Sequence, residues 1–438
     1  MQNKFIFKGW KADIKKGRAS FFYELQNEGQ TIKFEEKISF SPVQKEIPSE
    51  VLKPIFDSLL LILGVSYWKL YCPKIELGSV LLNREQAEFW NKVYTKGLGE
   101  FFYKNKIDFR GLVHFPYEEK SSIHSDNTYH HSDRSLVFLG GGKDSIVTAE
   151  ILKKQGKDFD LFVLNNTSIH DVVVKTLDKK PIIIKREIDP KLFELNNQKG
   201  VFNGHVPISA VFAFMGILAA TLYDYKYIIV SNERSANEGN VEYRGEIINH
   251  QWSKSFEFEK MFNGYLKKFI TKDIHYFSLL RPFSELKITQ LFSAYKKYFN
   301  QFTSCNRNFS INPKNMEGKW CGSCPKCAFV FTALSAFLTK EEVLKIFGKN
   351  LFDEEKLLGV FKELLGMEKF KPFECVGTKE ETKYAMYLVS KKGEFSNDPA
   401  IKMFEKEVLA GIEAEKLEKE VFTTESINLI PEEFKVEA

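Results

Sequence analysis

Cysteine is sparse in this chain, six among 438 residues, which excludes a small scaffold held together by disulfides. No dense lysine or arginine tract occurs. The 63 Lys plus Arg against 58 Asp plus Glu leave a net charge of +5, too mild to argue for a nucleic-acid partner. Charged residues make up 28% and apolar residues 43%, a balance that excludes disorder and collagen-like repeats. There is no internal repeat and no low-complexity tract. Met1 is followed by polar residues and a short Phe-rich run, without the long apolar core of a leader, so the expectation is a cytoplasmic chain with reduced thiols. One stretch, Val206 to Tyr223, carries no charge and reaches the lower length of a spanning helix. Pro207, Ser209, Gly216 and Thr221 interrupt it, polar motifs flank it, and a buried helix is the better reading. No membrane partner is expected.

What is present is enough for two or three domains. Aromatics reach 14%, with 41 Phe, which predicts a rich core. Short alternating runs up to about residue 45 read as an antiparallel meander, with Asn27-Glu28-Gly29 as a turn. Pro48-Ser49-Glu50 opens an apolar helix through Leu63, with Ser49 as N-cap and Gly64 as stop, and a second helix is expected from Arg84 to Tyr103. Residues 104–134, with His124, His130 and His131, read as a linker or lid. From Ser135 the pattern changes. Apolar strands at Ser135–Leu139, Leu161–Leu164, Pro181–Ile184 and Tyr227–Val230 alternate with helices. The expected fold class is therefore α/β, with a doubly wound, mainly parallel sheet. The expected division is an α+β N-terminal domain over 1–130, a candidate for substrate recognition, an α/β domain with the cysteine cluster over 131–330, and a helical region over 331–438.

The strongest local signal is Gly140-Gly141-Gly142-Lys143-Asp144-Ser145, placed after a strand and before a helix. Glycines let the backbone approach a ligand, and the helix N-terminus presents unpaired N–H groups and a positive dipole end, which together suit phosphate. Ser145 can donate to a phosphate oxygen, Lys143 can add charge, and Asp144 can hold Mg²⁺ or order the loop. The pattern matches neither the P-loop nor the dinucleotide fingerprint.

Polar runs cluster downstream. Asn203-Gly204-His205-Val206-Pro207 precedes the long apolar helix, and Ser231 to Asn240 follows a strand. Tyr243-Arg244-Gly245 and Asn249 to Ser255 come next. Such runs at strand ends suit a substrate loop, and Asn203, Asn232, Ser235, Asn237 and Arg244 are the candidate substrate contacts. Arg281-Pro282-Phe283-Ser284-Glu285 could add a charged pair to the same cleft, but at i and i+4 an ordinary surface pair is the stronger reading for Arg281 and Glu285. Cys321, Cys324 and Cys327 form two overlapping CxxC pairs, and with Cys305 they suit a tetrahedral structural Zn²⁺. Cys72 and Cys375 read by default as packed thiols.

The Gly140–Ser145 run resembles the SGGxDS pyrophosphate loop of the ATP-pyrophosphatase superfamily, with Gly140 in place of the first Ser. The resemblance implies an adenine nucleotide α-hydrolase-like fold, ATP and Mg²⁺ as cofactors, and adenine near Leu164-Asn165-Asn166, with Asn165 as a contact. The cysteine layout also resembles the zinc site of 7-cyano-7-deazaguanine synthase from the same superfamily. Together with Asn203–Pro207, Ser231–Asn240, Trp320–Cys327 and Lys371-Pro-Phe-Glu-Cys375-Val-Gly-Thr378, the chain resembles the UDP-N-acetyl-α-D-muramoyl-L-alanyl-L-glutamate epimerase family over about residues 5–385.

That resemblance implies a small-molecule substrate, a UDP-MurNAc-dipeptide, whose terminal L-Glu is inverted at the expense of ATP. Adenylating the α-carboxylate removes its negative charge and acidifies the Cα–H. The candidates for the proton transfer are His205, Glu233, His250 and Cys375, with His205 and Glu233 ranked first. The alternatives are another adenylating pyrophosphatase, such as 7-cyano-7-deazaguanine synthase or a tRNA-modifying enzyme, and a zinc-stabilised nucleotide-binding regulator. Oligomeric state is left open.

Overall fold

The computed structural model describes residues 3–119, 129–309, 318–368 and 370–436. His124 lies outside the described residues. The N-terminal alternation produces strands β1 (Lys4–Asp13), β2 (Arg18–Asn27) and β3 (Gln30–Phe40), paired antiparallel in the expected meander. Every second residue of β2 is buried, including Phe21, Tyr23 and Leu25, as the two-residue period requires. Helix α1 spans Ser49–Trp68 and covers this face. It runs straight through Gly64, because that glycine is a packing position. A Cβ there would lie 2.4 Å from the Phe7 ring and 3.0 Å from that of Tyr23. Ser49 makes no side-chain cap bond.

The short strand β4 (Lys74–Leu77), which the sequence did not suggest, pairs parallel with β1. The expected helix 84–103 is two helices, α2 (Arg84–Gly97) and α3 (Gly99–Lys104), separated at Leu98. His130 and His131 both approach Asp273, at 3.5 and 3.0 Å, so this part of the expected linker is fastened to the body of the molecule.

Strands β5 (Ser135–Phe138), β6 (Phe159–Leu164), β7 (Pro181–Glu187) and β8 (Tyr227–Val230) form where the apolar runs predict them. After the two-stranded ribbon β9 (Val241–Tyr243) and β10 (Glu246–Ile248) comes a fifth parallel strand, β11 (His275–Ser278). Its polar ends hid it from the pattern reading. The order β11-β8-β5-β6-β7-β3-β2-β1-β4 makes one nine-stranded sheet. The meander and the parallel strands meet where β3 pairs antiparallel with β7. Across this seam the buried Arg186 guanidinium binds Glu36 at 2.7 Å and Ser66 at 3.1 Å.

Successive strand residues feed opposite faces. Leu136, Phe162 and Ile228 join the core beneath α1, whereas Val137, Leu161, Val163 and Ile229 join the other. The helices between strands are α4 (Lys143–Lys154), α5 (Ser168–Leu177), α6 (Lys191–Leu195), α7 (Ile208–Tyr223), α8 (Phe256–Phe269) and α9 (Glu285–Ser293). Helix α7 is the uncharged stretch, and it is buried almost throughout, as expected. Among the described residues one helix, α1, is long and apolar enough to cross a membrane, and 78% of its apolar window is buried. The C-terminal region supplies α10 (Pro325–Phe337), α11 (Lys340–Phe347), α12 (Leu358–Leu364), α13 (Lys379–Lys392), α14 (Pro399–Glu407) and α15 (Ala414–Phe422), which build the second core.

Candidate active site

Strand order reverses between β5 and β8, since the chain moves from β5 outward through β6 and β7 and then returns to β8 on the other side. Open α/β sheets bind ligands at the carboxyl ends of strands beside such a reversal. The glycine loop leaves β5 there, and the Ser231 run leaves β8. Thr148 of α4 and Ser231 hydrogen-bond at 2.8 Å across the gap.

Gly141 has φ +75°, and its carbonyl accepts from Thr303 N at 3.2 Å. A Cβ on Gly142 would lie 3.0 Å from Ser304 Oγ, so larger residues would displace the Thr303-Ser304 strap. No side chain caps α4, which leaves its first N–H groups for a ligand. Ser145 Oγ donates to the Gly142 carbonyl at 3.0 Å and thereby braces the loop. Lys143 points inward instead of toward open solvent. It is fully buried and pairs with Asp144 and Glu285. Burial opposes its charge, but those two carboxylates outweigh this and raise its pKa. Lys326 binds the other oxygen of Glu285 at 3.0 Å. Burial disfavours the Glu285 carboxylate, yet Lys143 and Lys326 hold it down to about 2.

Arg281 is not on the surface and does not pair with Glu285. It is fully buried, and Glu259 of α8 takes its guanidinium at 2.8 and 3.1 Å. Its remaining donors reach the Glu233 carbonyl at 2.8 Å and the Lys254 carbonyl at 2.6 Å. The pair fixes the backbone of two candidate segments at once.

Next to these charges lies a second polar cluster. Lys254 Nζ is 3.4 Å from Cys375 Sγ. Burial opposes the thiolate of Cys375, but Lys254 and His250 bring it down to about 7. Burial likewise opposes charge on His250, and contacts with Cys375 and Glu100 outweigh it, pushing His250 up to about 9. His205 lies beside it, with ring centres 4.7 Å apart. Burial and the neighbouring His250 charge take His205 down to about 3. Glu233 is buried, with Oε1 lacking a partner. Burial, with Glu285 adding, raises its pKa, and Lys254 lowers it. Ser235 Oγ and Gln251 Oε1 are also buried without partners. These buried polar atoms on adjoining segments lack a protein partner and are open to a ligand or to water.

Asn240 explains why the Ser231 run and the Lys371 run meet. Its amide donates to the Pro372 carbonyl at 2.7 Å, and its Oδ1 accepts from His250 N at 2.8 Å. Lys371 pairs with Glu238 at 2.7 Å. The remaining candidates have local roles here. Asn203 Oδ1 accepts from Lys69 at 3.1 Å, the Asn232 carbonyl from Ser278 at 2.6 Å, and Asn237 Oδ1 from Phe256 N at 2.7 Å. Arg244 is exposed at the tip of the β9–β10 ribbon. Asn165 has φ +53° and accepts from Arg186 N at 2.7 Å.

The four cysteines converge. All the sulfurs of Cys305, Cys321, Cys324 and Cys327 lie within 4.8 Å of one another, the spread of a tetrahedral thiolate set. Lys326, between two of these cysteines, turns the other way into the Glu285 cluster. Glu100 escaped the sequence reading. Lys254 and Lys326 entered it only inside the Asn249–Ser255 run and the Cys324-Pro-Lys-Cys327 motif, with no role of their own, and Glu285 chiefly as a surface charge. Glu100, Lys254 and Glu285 sit far in sequence from most of the groups they touch.

Two family models match this chain, one described as a MurL N-terminal domain over residues 1–279 and one as a MurL C-terminal domain over residues 301–419. A protein of Xanthomonas oryzae pv. oryzae named UDP-N-acetyl-α-D-muramoyl-L-alanyl-L-glutamate epimerase is 37% identical over 83% of this chain and 80% of its own length. Proteins of the same name from a Micromonospora species and from Salinispora tropica are 36% and 34% identical, each over 91% of this chain and over 89% and 87% of their own lengths.

Proposed function

The chain belongs to the UDP-N-acetyl-α-D-muramoyl-L-alanyl-L-glutamate epimerase family, and on that premise we propose that it inverts the terminal L-Glu of UDP-MurNAc-L-Ala-L-Glu to D-Glu through an acyl adenylate. The parallel half of the sheet serves as a nucleotide domain of the ATP-pyrophosphatase kind. ATP and the dipeptide are co-substrates. A carboxylate oxygen of the terminal Glu attacks the α-phosphorus, pyrophosphate leaves, and the acyl–AMP anhydride forms. With that charge masked, the Cα–H becomes acidic enough for a side chain to remove. A proton returns to the opposite face. Water then attacks the acyl carbon, releasing AMP and the D-Glu product.

The open N–H groups of α4 and the Gly140–Gly142 backbone hold phosphate oxygens. Asp144 would hold Mg²⁺, which neutralises triphosphate charge. Cys305, Cys321, Cys324 and Cys327 would hold Zn²⁺, which fixes the turn carrying Lys326. Cys375, as a thiolate steadied by Lys254 and His250, takes the Cα proton. Glu233 returns one, since burial and the neighbouring Glu285 raise its pKa and favour the protonated carboxyl. His250 and solvent reset the two groups.

What carries the reading is a single continuity. Lys254 faces both Cys375 and Glu233, and Glu233 faces Glu285 and Asp144 of the phosphate loop. That continuity supports a pose in which a carboxylate held at the loop has its Cα beside the thiol–imidazole pair. The test is turnover of UDP-MurNAc-L-Ala-L-Glu with ATP and Mg²⁺, read by chiral analysis of Glu and by AMP release. Inversion of Glu without AMP formation would refute the adenylate.

A further inference from the structure

Glu100 belongs to α3, in the N-terminal segment, 150 residues before His250, yet its carboxylate enters the proton-transfer cluster. Its Oε2 takes the hydrogen bond of His250 Nδ1 and lies 3.4 Å from His205 Nδ1. Its Oε1 pairs with Lys104. The residue is only 5% exposed. A carboxylate this buried is stabilised only by cations or donors, and here it has all three neighbours around it. Although burial opposes its ionisation, His250, His205 and Lys104 hold it down to about 2.

The two imidazoles compete for that one oxygen. Their ring centres are 4.7 Å apart, too close for both to be charged in a buried site. The surroundings decide the contest. His205 faces Lys104 and Lys69 as well as the charge on His250. Lys69 is itself fixed by the Gly204 carbonyl at 2.8 Å and Asn203 Oδ1. His250 faces the Cys375 thiol instead. Cys375 in turn faces Lys254 and Lys326 besides His250. With Nδ1 of His250 engaged by Glu100, the other ring nitrogen is the one left for the thiol.

We infer that Glu100 is the positioning residue of the proton-transfer pair: it fixes the orientation and charge of His250 against Cys375, and leaves His205 as a neutral neighbour. The inference rests on the role proposed above for Cys375. A carboxylate from the N-terminal segment thus completes a Cys375–His250–Glu100 line in the α/β cleft. Glu100 lies just after the break at Leu98 and meets His205 of the Asn203–Pro207 loop.

The experiment compares the full-length, metal-retaining wild type with Glu100→Gln and Glu100→Asp. Alkylation of Cys375 by iodoacetamide is followed against pH by mass spectrometry of its peptide. AMP formation and Cα deuterium uptake are measured alongside. The wild-type midpoint is expected near pH 7. Glu100→Gln moves it upward by about one unit or more, and lowers deuterium uptake about 100-fold, with AMP formation within about twofold. Glu100→Asp recovers part of both losses. An unchanged midpoint in Glu100→Gln overturns the inference. Parallel loss of AMP formation also overturns it, because the role is then structural. A carboxylate oxygen of Glu100 and one ring nitrogen each of His205 and His250 lie within 4.8 Å of one another and could hold a divalent cation. Metal that Glu100→Gln removes without touching the Cys305 cluster would therefore overturn the inference too. If Cys375→Ala retains full deuterium uptake, the catalytic role of Cys375 fails, while the pH result still judges the contact between Glu100 and the pair.

Discussion

At the phosphate-loop end of the cleft, Lys143, Asp144, Glu285 and Lys326 form a closed set in which each buried charge has its counter-charge. At the proton-transfer end, Glu100, His250, Cys375 and Lys254 form an open line beside Glu233, whose buried Oε1 has no partner. The first arrangement holds its shape without a ligand. The second brings a thiol to about 7 and an imidazole to about 9, which suits moving protons near neutral pH. In the proposed mechanism the two ends serve successive tasks, activation of the substrate carboxyl group and then removal of its Cα proton.

Breaking the closed end should have the largest effect. Asp144→Ala removes a carboxylate from the proposed phosphate site and releases Lys143 from one of its two partners. AMP formation is expected to fall by about 1000-fold or more, as measured by nucleotide chromatography. Deuterium uptake falls with it, because the Cα–H is no longer activated.

The open end should reveal itself through pH. With Cys375 near 7 and His250 near 9, the thiolate–imidazolium pair exists between those values. Cα exchange should rise as pH passes about 7, where the thiol ionises, and fall above about 9, where His250 loses its proton. The apparent values belong to the pair. Adenylation measured alone should lack this bell shape.

Cys324→Ser tests whether the zinc-type cluster supports the closed end from behind. Metal content should fall and the melting temperature should drop by about 5 °C or more. The KM for ATP rises as Lys326 loses its anchor. The smallest effect is expected at Arg244, on the exposed ribbon tip. Arg244→Ala should raise the KM for the UDP-substrate by about threefold at unchanged kcat, the mark of a uniform binding contact.

The same contrast explains what could be read from the residues alone. The loop Gly140–Ser145, the strands β5 to β8 and the cysteine cluster depend on neighbours within a few positions, so period and spacing expose them. Glu100, Lys254 and Glu285 acquire meaning only when α3, the Asn249–Ser255 run and α9 meet in the cleft. No local pattern distinguishes them from surface charge. Arg281 shows the same limit, because its i+4 spacing to Glu285 suggested a surface pair while its actual partner, Glu259, lies on α8. Gly64 misled for a related reason. A glycine inside a helix can serve a close approach by another element, and here Phe7 and Tyr23 supply it.

The most direct test of the account is turnover of UDP-MurNAc-L-Ala-L-Glu in D₂O by the wild type and by Cys375→Ala, with AMP, Glu chirality and Cα deuterium measured on the same samples. The account predicts that the wild type yields AMP, D-Glu and Cα deuterium together, whereas Cys375→Ala still adenylates its substrate but loses deuterium uptake by about 100-fold or more. Full deuterium uptake and inversion in Cys375→Ala would contradict it.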